Sequence, residues 1–124
     1  MSLIIENLEL TLSNKTIVRD VTLNVEQGEV VGLLGPNGAG KTSTFNMIVG
    51  LIKPSFGNIY LDKHSIINLS MAKRVNLGLG YLAQEPSVFR NLTVKENLDI
   101  ALNHSALSKS LCRKRREDLI DKFN

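Results

Sequence analysis

The chain has 124 residues, of which 43% are hydrophobic and 22% charged, with a formal net charge of +3. That length predicts one domain burying roughly two-thirds of its unfolded surface, and no apolar run approaches the ~20 residues of a membrane-spanning helix. A lone Cys112 allows no internal disulfide, and an N-terminus that reaches Glu6 without a basic leader does not read as a secretory signal, so the cytosol is the expected compartment.

Leu8, Leu10 and Leu12 alternate with Asn7, Glu9 and Thr11; after Ser13-Asn14-Lys15, Val21, Leu23 and Val25 alternate with Asp20, Thr22 and Asn24. A period of two in both runs predicts an antiparallel pair with one buried face. Glu26-Gln27-Gly28 then turns the chain into Val30-Val31-Gly32-Leu33-Leu34, an apolar run without alternation. Such a run is expected as a strand covered on both faces in a parallel sheet.

Gly35-Pro36-Asn37-Gly38-Ala39-Gly40-Lys41-Thr42-Ser43 follows directly. Phe45, Ile48, Val49 and Ile52 fall at helical spacing, predicting a helix over about 41–51 that Lys53-Pro54 ends. Residues 57–62 alternate and should join the antiparallel sheet, 70–75 a short helix, and 79–82 a second inner strand ending at Ala83-Gln84-Glu85-Pro86. Thr93-Val94-Lys95-Glu96 is a capping box opening a helix to about residue 103, and Leu111, Leu119, Ile120 and Phe123 suggest another. The expected organisation is an antiparallel β and phosphate-loop core over 1–91 and a helical part over 92–124.

The segment from Gly35 to Thr42 fits G-x-x-x-x-G-K-[ST] at every fixed position, between an expected strand and an expected helix. A loop that wraps a polyphosphate must turn its backbone N–H groups inward, which takes φ values that residues with a Cβ resist. The following helix aims unpaired N–H groups and its positive dipole end at the same anion. Lys41 would add a full charge for the β- and γ-phosphates, Thr42 a hydroxyl for Mg²⁺, and Ser43 a contact to the α-phosphate.

Other patterns are weaker. Gly78-Leu79-Gly80-Tyr81-Leu82-Ala83 matches a dinucleotide fingerprint, but its glycines precede an apolar run and no helix opens at Ala83, where the fingerprint demands strand, then glycines, then helix. Asn14-Lys15-Thr16-Ile17 lacks the aspartate of a guanine-reading motif. Arg113-Lys114-Arg115-Arg116 is followed by Glu117 and Asp118, so a solvated helix face is expected and no nucleic acid partner. Cys112 is expected as a free structural or surface thiol, and His64 and His104 as surface residues.

The stretches "GLLGPNGAGKTSTFNMIVGL", "GNIYLD" and "LGYLAQEPSVFRNLTVKENL" together resemble the first half of an ATP-binding cassette, the motor domain of ABC transporters. The run from Gln84 through Phe89 and Arg90 to Val94 resembles, within that family, the cassettes that power lipopolysaccharide export. The resemblance implies an α/β fold: a partial P-loop NTPase with an ABC-type RecA-like core, an N-terminal antiparallel β subdomain and the start of a helical subdomain. It further implies ATP and Mg²⁺ as cofactors, with Gly35, Pro36, Asn37, Gly38, Ala39, Gly40, Lys41, Thr42 and Ser43 around the nucleotide. Gln84 would be the catalytic glutamine, sharing Mg²⁺ with Thr42. Transmembrane permease subunits and a second ATP-binding subunit are the implied partners, on the cytosolic face of the inner membrane. Phe89 and Arg90 are candidates for the permease contact, with a core aromatic beneath the next helix as the alternative for Phe89.

Two departures qualify the resemblance. Leu12 stands where many cassettes stack adenine on an aromatic ring, and no aromatic residue precedes Phe45. No LSGG-type signature and no apolar run leading into Asp-Glu occurs in the 124 residues; Tyr60-Leu61-Asp62 is followed by Lys63. A fragment or truncated product that holds ATP without splitting it is therefore expected, the alternative being a short protein that only binds nucleotide or docks.

Overall fold

A computed structural model describes residues 1–85, 87–103, 105 and 107–123; the expected positions of Pro86 and His104 lie outside the described residues. In chain order the elements are β1 (Leu3–Leu12), β2 (Lys15–Val25), α1 (Lys41–Val49), β3 (Phe56–Leu61), β4 (His64–Ser65), α2 (Met71–Asn76), α3 (Val94–Asn103) and α4 (Lys109–Phe123). They fall into two compact units, Met1–Tyr81 and Leu82–Asn124, and the change of texture at residue 92 lies inside the second.

In the first unit four antiparallel strands form one sheet in the order β2-β1-β3-β4. The tight connections place Ser13 and Asn14 at φ 47° and 63°, and Asp62 and Lys63 at φ 47° and 68°. Positive φ at both central residues gives a turn whose twist matches that of the flanking strands. The buried face of β1 differs from the expected one: Ile5, Leu8 and Leu10 are buried, while Leu12, beside the turn, is 51% exposed. The pairing slips between Ile5 and Leu8, where Asn7 has φ 48° and its Nδ2 donates to Asp20 Oδ1 at 2.7 Å. A bulge adds one residue and reverses the in-out parity, so Ile5 and Leu8, three apart, point into the same core.

That core comprises Ile5, Leu8, Leu10, Val18, Ile59, Leu61 and Ile66 with Met47 and Ile48 of α1. Each fully buried side chain contributes about 1.5–3 kcal/mol. The inward residues of α1 are Thr44, Met47, Ile48 and Val49, whereas Phe45, expected in the stripe, is 47% exposed. Thr44 is tolerated inside because its hydroxyl donates to Gly40 O at 3.0 Å. The helix also stops earlier than Lys53-Pro54 would dictate. Gly50 takes φ 88° and its N–H closes back on Asn46 O and Met47 O, a left-handed cap that ends a helix wherever it occurs.

The runs 30–34 and 79–82, expected as inner parallel strands, are not in strands. Val30 is 96%, Leu34 92% and Leu82 93% exposed. An apolar run becomes a strand only when a neighbour supplies the other half of the ladder, and among the described residues neither run has one.

In the second unit α3 opens on the expected capping box. The Glu96 N–H donates to Thr93 Oγ1 at 3.2 Å, while the Thr93 N–H and hydroxyl both donate to Glu96 Oε2 at 2.7 Å. These bonds, first the backbone one and then the hydroxyl, hold the Glu96 carboxyl below its ordinary pKa. Within the basic run, Arg113, Lys114 and Arg115 are exposed as expected. Arg116 departs from that face: its Nη1 donates to Asp99 Oδ1 at 2.6 Å, joining α4 to α3. Cys112 is a buried free thiol, its Sγ 3.5 Å from Leu102 O.

Candidate functional site

The glycine-rich loop leaves β2 after the turn at Glu26, runs through residues 30–36 and enters α1 at Lys41. It is held by few internal bonds. The Ala39 N–H donates to Pro36 O at 3.2 Å, and the Thr44 N–H to Gly40 O at 2.8 Å, the first rung of the helix. As in any helix, the earlier N–H groups, those of Lys41, Thr42 and Ser43, have no intrahelical acceptor, and unpaired N–H groups at a helix start suit an anion.

Gly40 is fixed by two demands at once. Its φ is 89°, and a Cβ built there would lie 2.7 Å from Ile17 O and 2.9 Å from Val18 Cγ2. Close approach to a phosphate is the reason the sequence suggests for a glycine here; close approach to β2 is a second one. Through it, the start of α1 rests on the backbone of β2.

The Lys41 side chain folds over the loop, its Nζ donating to Gly35 O at 2.6 Å and Pro36 O at 2.8 Å. Two neutral carbonyls accept two of the ammonium's three N–H groups and leave its charge unbalanced. That donor set fits a polyphosphate: oxygens of an anion are better acceptors for Nζ than the carbonyls it now uses. Thr42 is exposed and Ser43 half-buried.

Gln84, Phe89 and Arg90 belong to the second unit and are exposed. The Phe89 ring is 57% exposed, so it is not a core aromatic beneath α3. Its backbone, by contrast, is fully engaged. The Phe89 N–H donates to Asn97 Oδ1 at 2.8 Å, and Asn97 Nδ2 donates to Phe89 O at 3.1 Å, Leu92 O at 3.3 Å and Thr93 O at 3.0 Å. One amide on α3 thus orders the segment that presents Phe89 and Arg90.

Sequence reasoning missed Asn97 and also Arg74. The Arg74 side chain on α2 is buried, and burial lowers its pKa from the ordinary arginine value. A four-residue offset from the capping threonine was the available hint for Asn97; a single arginine in a short polar helix gives none, since arginines are mostly exposed.

Comparison with known proteins adds the following. The sequence pattern of the ABC transporter family matches residues 18–124. The lipopolysaccharide export system ATP-binding protein LptB of Haemophilus influenzae is 47% identical over 120 residues, which are 96% of this chain and 50% of that protein. Its namesake from Acidithiobacillus ferridurans is 48% identical over 110 residues, 89% of this chain and 46% of that one. Among solved structures, an ATP-binding subunit of an ABC transporter superposes with a TM-score of 0.77 at 29% identity, covering 89% of this chain and 45% of the other. A dimeric ATP-binding cassette in a post-hydrolysis state, bound to ADP and phosphate, gives 0.76 at 26% identity, covering 94% and 54%. The chain spans about half the length of the curated relatives it matches.

Proposed function

The chain belongs to the ABC transporter family, and from that premise we propose that it forms the nucleotide-gripping part of an ATP-binding subunit of the lipopolysaccharide-export type. The observation that supports this most directly is the Lys41 ammonium, folded over the loop of 35–40 with only carbonyl oxygens as partners. In this reading Gly35, Pro36, Asn37, Gly38, Ala39 and Gly40 wrap the phosphates with backbone N–H groups. Lys41 exchanges its two carbonyls for β- and γ-phosphate oxygens, Ser43 reaches the α-phosphate, and Thr42 and Gln84 hold Mg²⁺. The Mg²⁺ would supply charge neutralisation at the phosphates.

Phe89 and Arg90 are the proposed contact to transmembrane permease subunits, and a second ATP-binding subunit is the proposed partner across the nucleotide. The working place is then the cytosolic face of the inner membrane. The division into a core over 1–91 and a helical part over 92–124 belongs to the same proposal. These 124 residues include no acidic pair after an apolar run, so they are proposed to bind MgATP without turning it over.

The test is equilibrium binding of MgATP to the purified chain and to Lys41→Ala. Loss of a charge-assisted contact to two phosphates should weaken binding by at least a hundredfold, corresponding to ~2.7 kcal/mol. Equal affinity of the two proteins would refute the proposal.

A further inference from the structure

We propose that Arg74 is a positioning residue for nucleotide binding, acting through the C-terminal end of the helix whose N-terminal end carries Lys41 and Thr42; the inference rests on the nucleotide reading above. The side chain is 2% exposed. Its Nη1 donates to Met47 O at 2.8 Å and Ile48 O at 2.6 Å, its Nε to Leu69 O at 3.0 Å, and its Nη2 to Ile67 O at 3.1 Å. Every acceptor is a backbone carbonyl, and no carboxylate is paired with Arg74 among the described ion pairs.

A buried cation without a counter-ion costs free energy unless fixed dipoles replace water. Here the dipoles are supplied by α1. The helix has no basic residue in its own last turn, and its C-terminal carbonyls form the negative end of the macrodipole. Arg74 supplies the missing positive charge from α2, and with it a geometric constraint. A guanidinium is a planar fork that donates in fixed directions, so four carbonyls on two segments set the height and azimuth of α1 against the 67–69 connection.

The backbone of Arg74 extends the constraint forward. Its carbonyl accepts the N–H groups of Leu77 and Leu79, both at 3.1 Å, and Leu79 leads five residues on to Gln84. One residue thus fixes the C-terminal anchor of the helix bearing Lys41 and the start of the segment that follows α2. Gly50 shows how tight the fit is. A Cβ there would lie 3.0 Å from Arg74 Nε, 3.2 Å from Arg74 Cζ and 3.2 Å from the backbone N of Met71, at the start of the helix that carries Arg74.

A rigid helix transmits a tilt at its base to its tip, and displacements of about 1 Å are enough to cost a site a hundredfold in efficiency. The experiment measures MgATP and magnesium pyrophosphate affinity on the 124-residue chain for Arg74→Met, Arg74→Lys and Gly50→Asn, under conditions where far-UV circular dichroism shows each folded. Arg74→Met should weaken both ligands at least tenfold, and equally, because pyrophosphate touches only the phosphate loop. Arg74→Lys keeps the charge at the helix end and should recover part of the loss. Asparagine tolerates the left-handed conformation of Gly50, so Gly50→Asn crowds Arg74 and the Met71 end of its helix without unseating the cap, and should weaken both ligands at least threefold.

A purely structural role predicts lower thermal stability with affinities within twofold of the parent, and that result overturns the proposal. If Arg74→Met does not fold, Gly50→Asn decides by the same twofold criterion. Lys41→Ala separates the two ideas. If it binds MgATP normally the nucleotide reading fails, whereas if it loses binding while Arg74→Met and Gly50→Asn retain it, only the role of Arg74 fails.

Discussion

Replacing Gly40 by alanine tests how the glycine-rich loop is seated. At φ 89° an L-residue meets a backbone penalty of about 1–2 kcal/mol, and the new Cβ would stand 2.7 Å from Ile17 O and 2.9 Å from Val18 Cγ2. The first of these is backbone and cannot rotate away, so a further 1–3 kcal/mol of overpacking is expected. Gly38 provides the control: its φ is 83°, yet nothing lies within 4 Å of a Cβ there. Gly38→Ala therefore carries the backbone penalty alone, offset by a few tenths to 1 kcal/mol from the stiffer unfolded chain.

The two substitutions should differ by about 2 kcal/mol, which at a urea m-value near 2 kcal/mol per molar is a shift of roughly 1 M in midpoint. With no tryptophan in the chain, far-UV circular dichroism is the suitable probe. Val18 is itself a core residue, so measured against Val18→Ala alone, Gly40→Ala should cost less than in the parent yet still destabilise, because Ile17 O remains. Equal midpoints for Gly38→Ala and Gly40→Ala would refute the close approach of the loop to β2.

Three further outcomes are expected. Ile59→Ala, at a position with no exposed surface, should cost about 2–5 kcal/mol, whereas Leu34→Ser, at 92% exposure, should change the stability of this chain by less than about 0.5 kcal/mol; a large loss at Leu34 in the same urea titration would contradict its exposure. For Glu96 the folded pKa lies below the unfolded one, so its contribution is present above the ordinary glutamate pKa and fades as pH falls through the lowered value. The Thr93 amide proton shift, followed by NMR, should titrate below that ordinary value and lose the transition in Glu96→Gln; a midpoint at the ordinary value would contradict the capping geometry.

What the sequence made legible divides along a physical line. Alternation located β1, β2 and β3, and Thr93 with Glu96 announced the start of α3, because those signals concern neighbours a few residues apart. The opening of α1 at Lys41 directly after the glycines was equally plain. The runs 30–34 and 79–82 misled because hydrophobicity states a preference for burial and says nothing of whether a partner strand is at hand. The parity of β1 was hidden by a bulge at Asn7, whose trigger is a long-range bond to Asp20. Arg74 escaped for a similar reason: its four acceptors are five to 27 residues away, and no local pattern encodes such a contact.

The Asn97 bridge has a thermodynamic consequence for recognition. A flexible loop that closes on a partner surrenders backbone entropy of about 1–2 kcal/mol for each residue it orders. With both backbone groups of Phe89 already tied to Asn97, that entropy has been surrendered during folding. A protein seated on Phe89 need only quiet the ring's two torsions, at about 0.5–1.5 kcal/mol, and the segment meets it as a rigid key with a movable bit.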